Sequence, residues 1–144
     1  MRFLVFSRKL AECKDTVDAN CTIPHIWISF RDPDLQPAKL PDHSLRKDTL
    51  FLAIDDVNGD EHGNQLGNPE HDTRSWIAMQ PDHAKHIIDF VNQWKDKVDL
   101  ICVNCGQAFL VQPDVLLPCL FGLTNMIAVL HLLTGTTQML ILSH

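Results

Sequence analysis

Up to residue 104, hydrophobic positions gather in four short segments and one helical stripe. Phe3-Leu4-Val5-Phe6 is the first run and predicts a strand over Arg2 to Phe6, with Ser7 placed to cap a brief helix reaching about Cys13. His25 to Phe30 (His-Ile-Trp-Ile-Ser-Phe) is rich in β-branched and aromatic residues and predicts a second strand, ended by Asp32-Pro33. A proline-rich loop follows through Pro41. Leu50 to Val57 predicts a third strand, apolar until it meets Asp55 and Asp56. The Gly/Asn/Asp/His stretch from there to about Ser75 is longer than compact domains usually tolerate in a loop without a function.

The strongest helical signal runs from Pro81 to Lys97. Ala84, Ile87, Ile88, Val91 and Trp94 recur at helical spacing, so one face is apolar. Pro81 suits the first turn, Asp82 complements the N-terminal dipole, and Lys95 and Lys97 complement the other end. Leu100 to Val103 is uninterrupted apolar sequence, as expected of a parallel strand buried on both faces. Strands alternating with a long helix predict an α/β layer architecture with a mostly parallel central sheet flanked by helices.

Composition fits one globular domain: 144 residues, 45% hydrophobic and 21% charged. A net charge of −6 argues against nucleic acid as a partner. Five cysteines, Cys13, Cys21, Cys102, Cys105 and Cys119, lack a disulfide-scaffold rhythm, and no secretory signal is visible, so a reduced cytoplasm is expected. The charge is unevenly spread. All twelve Lys and Arg precede residue 98, and Asp114 is the single charged side chain after Asp99. Val115 to Leu133 is uncharged and nearly long enough to span a bilayer, but Pro118, Gly122, Asn125 and His131 interrupt it and no Lys or Arg flanks it. A membrane is therefore a disfavoured partner.

Several motifs have a plain structural explanation. Cys102-Val103-Asn104-Cys105 has Cys-x-x-Cys spacing, but it lies on a strand rather than at a helix start, and no second pair completes a zinc site. Asp56 to Glu61 begins like an EF-hand loop, yet Glu61 stands where glycine is needed and Gly67 where the bidentate glutamate belongs. His62, His71, His83 and His86 read as surface residues, and no metal or organic cofactor is expected. Cys105 carries more weight, because it follows a buried parallel strand, where open α/β sheets build ligand sites. Asp55 and Asp56 end another strand. If the two strands are parallel neighbours, thiol and carboxyl open onto one sheet edge and form a workable pair for acyl or phosphoryl transfer.

The order of strand–Asp-Asp-Val, long loop, Pro-Asp-His-Ala-x-x-Ile-Ile-Asp-Phe helix and Asp-Leu-Ile-Cys-Val-Asn-Cys resembles the protein tyrosine and dual-specificity phosphatase superfamily, closest to a small microbial branch. The likeness covers residues 1 to 105. It implies hydrolysis of phosphate monoesters through a phosphocysteine, with Cys105 as nucleophile and Asp56, or Asp55 in its place, as general acid. A phosphorylated protein or small molecule would be the substrate. Asn104 stands where that family has histidine, and Val111 stands where its phosphate-gripping arginine belongs. Valine neither binds phosphate nor lowers a thiol pKa, so the encoded chain is expected to be inactive.

This failure starts where the charge disappears. One codon choice for Cys105 to Asp114, read with a single base restored after the cysteine codon, gives Cys-Arg-Thr-Gly-Val-Ser-Arg-Ser-Ala-Gly. That segment supplies the absent arginine. His131 to Gln138 in the same frame can read Ser-Pro-Asn-Arg-His-Asn-Pro. Residues 1–105 thus read as an incomplete phosphatase-like domain and 106–144 as a frameshift-derived tail, with the C-terminal helices lost. The alternatives are a catalytically silent binding or regulatory module and, less favoured, a tail-anchored membrane protein.

Overall fold

The computed structural model describes residues 1–31, 35–54, 81–104, 131–135 and 139–142. In chain order these hold β1 (Arg2–Phe6), α1 (Arg8–Ala11), α2 (Lys14–Asn20), β2 (His25–Arg31), β3 (Arg46–Ala53), α3 (Pro81–Trp94), β4 (Leu100–Asn104) and β5 (Met139–Leu142). The strands form one sheet in the order β3-β2-β4-β1-β5, and every pairing is parallel. The chain therefore has the α/β fold expected of it.

Strand alternation divides the core into two layers. Phe3, Val5, Ile26, Ile28, Leu52, Ile54, Ile101 and Val103 face α3 and bury Ile87, Phe90 and Val91 of that helix. Leu4, Phe6, Trp27, Leu100 and Cys102 face the other way, onto Ala11, Val17 and Cys21 of the α1–α2 segment. β4 lies in the middle of the sheet and all five of its residues are buried. Its uninterrupted apolar sequence follows from that position, since each neighbour in the strand must be dry on one face or the other.

The first helix starts at Ser7, whose extended backbone (φ −64°, ψ 156°) lets Oγ accept from the Leu10 N–H at 3.3 Å. It closes after Ala11, and Cys13 begins α2, a helix the apolar pattern did not reveal because Val17 is its sole buried residue. The long helix ends at Trp94, with Lys95 to Lys97 forming a turn rather than its last turn. β3 runs from Arg46 to Ala53, four residues upstream of the expected Leu50 to Val57. As an edge strand it is only half covered, so polar Arg46, Asp48 and Thr49 pair with β2 without carrying an apolar signature, and Lys47 is the extra residue at a register shift. Trp94 Nε1 donates to Asp48 Oδ2 at 3.1 Å, tying the end of α3 to this edge.

Residues 139–142 form the opposite edge strand, β5, in register with Phe3 to Phe6. The Ser7 N–H extends the ladder by donating to the Leu142 carbonyl at 3.1 Å. These four residues belong to the uncharged tail, and no strand was expected there. Most of the tail, residues 106–130, lies outside the described residues.

Ile28→Ala should cost about 2–5 kcal/mol, because its fully buried side chain packs between β2 and the α3 layer. Phe51→Ala, at a side chain 49% exposed, should change stability by less than about 1 kcal/mol. Urea denaturation of both variants checks the contrast, and equal losses would contradict the two-layer core.

Candidate functional site

All five strands point the same way, so their C-terminal ends share one sheet edge. From β1 the chain crosses over β4 to β2, with α1 and α2 on one face, and then steps outward to β3. From β3 it returns across β2 to β4, with α3 on the opposite face. Movement in opposite directions over opposite faces gives both crossovers the same hand. The stretch entering β5 also lies on the α3 side, where His131 meets the edge of Phe3 at 5.7 Å and Leu133 packs on the core. The chain therefore leaves β2 toward one side of the sheet and reaches β5, the next described strand after β4, on the other. The crevice of an open parallel sheet forms at such a divergence, here between the ends of β2 and β4.

Ser29 and Asn104 stand opposite each other at that point. Both are buried, and both project on the α1–α2 side, in line with Trp27 and Cys102. Asn104 Oδ1 accepts a hydrogen bond from Trp27 Nε1 at 2.7 Å, so Asn104 fixes the largest buried side chain of its layer. Trp27 also stacks on Phe6, with ring centroids 4.9 Å apart. Ser29 Oγ is buried and has no hydrogen-bond partner among the described residues.

Cys105, Asp55, Asp56 and Val111 lie outside the described residues. The structure describes the strand ends that precede them, Asn104 on β4 and Ala53 on β3, which share the C-terminal sheet edge. The two strands are parallel but not neighbours. β2 lies between them, so their axes are separated by two strand spacings, about 10 Å. The strands that precede the candidate carboxyl and the candidate thiol are therefore not the adjacent pair on which the expected arrangement depended.

A second polar group sits in the same layer, toward the start of β2. Cys21, His25 and Cys102 are buried, and their ligand atoms all lie within 4.8 Å of one another. Cys21 Sγ and Cys102 Sγ are 3.5 Å apart, a thiol hydrogen bond rather than a disulfide. Burial pushes the Cys102 thiol up, while the hydrogen bond with Cys102 pulls Cys21 down, so Cys21 is the first of the pair to ionise. His25 Nδ1 lies 2.8 Å from the Ile23 carbonyl, which can only accept, so that nitrogen carries the proton. Burial also lowers the His25 pKa, leaving a neutral ring whose Nε2 lone pair is buried without a partner among the described residues. The His43 ring packs against His25 at 5.1 Å, and its Nε2 lies 3.5 Å from Asp18 Oδ1.

This cluster was not legible as a cysteine motif. The structure pairs Cys102 with Cys21, 81 positions away, across the α2–sheet contact. One local signal existed, the Cys21-x-x-x-His25 spacing, but nothing in the sequence ties it to a strand residue so far along the chain.

Models of known protein families, curated proteins and solved structures were compared with the chain, and none matches significantly. Among the described residues no helix is long and apolar enough to cross a membrane.

Trp27→Phe keeps the stack on Phe6 but removes the donor to Asn104. It should cost about 1–3 kcal/mol, since a buried carbonyl loses a partner and the smaller ring leaves space. Chemical denaturation measures it, and an unchanged midpoint would show that this bond does not hold the end of β4.

Proposed function

We propose that the chain derives from a cysteine-dependent phosphatase whose intact form hydrolyses phosphate monoesters, with Cys105 as nucleophile and Asp56, or Asp55, as general acid. The supporting observation is the end of β4 at Asn104, beside β2 at the divergence of the sheet, because the next residue in the chain is the candidate thiol. In the intact form the thiolate attacks phosphorus and the P–O bond to the leaving group breaks. The aspartic acid gives its proton to the departing oxygen. Water then attacks the phosphocysteine, the P–S bond breaks, and phosphate leaves. A loop of backbone N–H groups and an arginine would hold the phosphoryl oxygens. With Val111 in place of that arginine, the encoded chain lacks the grip and is inactive.

A second reading, a catalytically silent binding module, is favoured by one observation. Tail residues 139–142 add a strand to the sheet edge beside β1, so this part of the tail contributes to the fold without needing a phosphate loop.

Hydrolysis of a small aryl phosphate separates the readings. The encoded chain should give no turnover above its Cys105→Ser control, and cysteine-dependent turnover would contradict the inactivity. A version carrying the re-read segment after Cys105 should gain turnover that Cys105→Ser abolishes. Absence of that gain in a folded protein would overturn the phosphatase origin. The nucleotide sequence around codon 105 tests the frameshift directly, and a read with no extra base in any strain would exclude a sequencing error.

A further inference from the structure

The buried cluster formed by Cys21, His25 and Cys102 lies apart from the C-terminal edge and has no part in the phosphatase reading. We propose that it is a site for a thiophilic metal ion, specifically Zn²⁺ held by the two sulfurs and by His25 Nε2, with a water as the fourth ligand. The donor types come first. Thiolate and imidazole together select soft or borderline cations such as zinc over magnesium or calcium. Charge balance then favours zinc, because two thiolates and a neutral imidazole cancel a double positive charge in a site where all three residues are buried. A single positive charge on the same ligands would leave a net negative charge buried in an apolar layer.

Geometry agrees with this assignment. Around a tetrahedral zinc the two sulfurs would stand about 3.8 Å apart, close to the 3.5 Å observed. Sulfur and imidazole nitrogen would stand about 3.6 Å apart, so the 4.8 Å cluster needs side-chain movement of about 1 Å to close on an ion. The imidazole is already oriented. Its Nδ1–H points at the Ile23 carbonyl at 2.8 Å, the outer-shell bond that fixes a metal-binding histidine in the tautomer with Nε2 free. That Nε2 is buried without a hydrogen-bond partner among the described residues, which an ordinary core histidine does not leave.

The ion would join the C-terminal end of α2, the start of β2 and the middle of β4. Its role is therefore structural, a clamp between the α1–α2 layer and the central strand. Because the ligands are shut off from solvent, uptake accompanies folding rather than following it.

The test uses the full chain, unfolded under reducing conditions and refolded with zinc or with cobalt as a spectroscopic probe. About one equivalent of zinc per chain should remain after dialysis, and the cobalt form should show thiolate charge-transfer bands with a tetrahedral d–d spectrum. The melting temperature should rise with metal. Cys102→Ala, Cys21→Ala and His25→Gln should each lose most of the bound zinc, with far-ultraviolet circular dichroism confirming that each variant is folded. The cobalt spectrum of the unaltered chain requires no variant and stands if one of them fails to fold. A folded chain that takes up no zinc or cobalt would overturn the proposal, as would full zinc retention in the folded Cys102→Ala variant. Binding of copper(I) but not zinc would overturn the assignment of the ion. Two thiols lost to a Cys21–Cys102 disulfide that excludes metal under reducing conditions would do the same for the site.

Discussion

Everything in this molecule is arranged around one constraint, that β4 must be dry on both faces. Leu100 to Asn104 pairs with β1 on one side and β2 on the other, and its side chains alternate between two layers. A parallel strand in that position exposes no side to water, so both layers need helices to cover them. The amphipathic α3 covers one. The short α1 and α2 cover the other, each with a single buried residue, Ala11 and Val17.

The thinness of that second layer explains where the polar groups collect. Its strand side carries His25, Ser29 and Asn104, all buried, among Phe6, Trp27 and Cys102. Burying such groups is tolerable only when they find partners inside the protein. Trp27 supplies one for Asn104, Ile23 one for His25, and the two thiols supply each other. What remains among the described residues, the Nε2 of His25 and the hydroxyl of Ser29, marks two places where this layer departs from an ordinary core. One lies toward the start of β2 and the other near its end, beside the sheet edge where α/β proteins bind ligands.

Legibility followed the strength of local pattern. β1, β2, β4 and the long helix could be read because each carries its own period, continuous apolar for buried strands and helical for α3. β3 was displaced because an edge strand can be polar along half its length, and Arg46, Asp48 and Thr49 take their place through backbone pairing with β2. α2 has one apolar anchor and a surface pair, Lys14 Nζ to Asp18 Oδ2 at 2.8 Å, too little to distinguish it from a loop. β5 is the apolar run Met139 to Leu142, set off by Thr-Gly-Thr-Thr-Gln before it and Ser143 after it, and it went unread because it lies in the uncharged tail, which reads as frameshift-derived. The same contrast governs the sites. Cys105 stood out because it follows a recognisable buried strand, whereas Cys21 and His25 looked unremarkable until Cys102 was set beside them.

By itself, then, the sequence determined which segments must be buried, that they build an α/β layer structure, and that charge stops abruptly after Asp99. These are properties of composition and short-range period, which a chain carries whatever its neighbours are. Only the tertiary structure decided the order β3-β2-β4-β1-β5, which inserts β2 between the strands that precede the candidate acid and the candidate nucleophile. Only it brought Cys21 and His25 to Cys102. Strand order and contacts across 81 positions depend on how crossovers pack over the two faces of the sheet, and no local pattern in the chain encodes them.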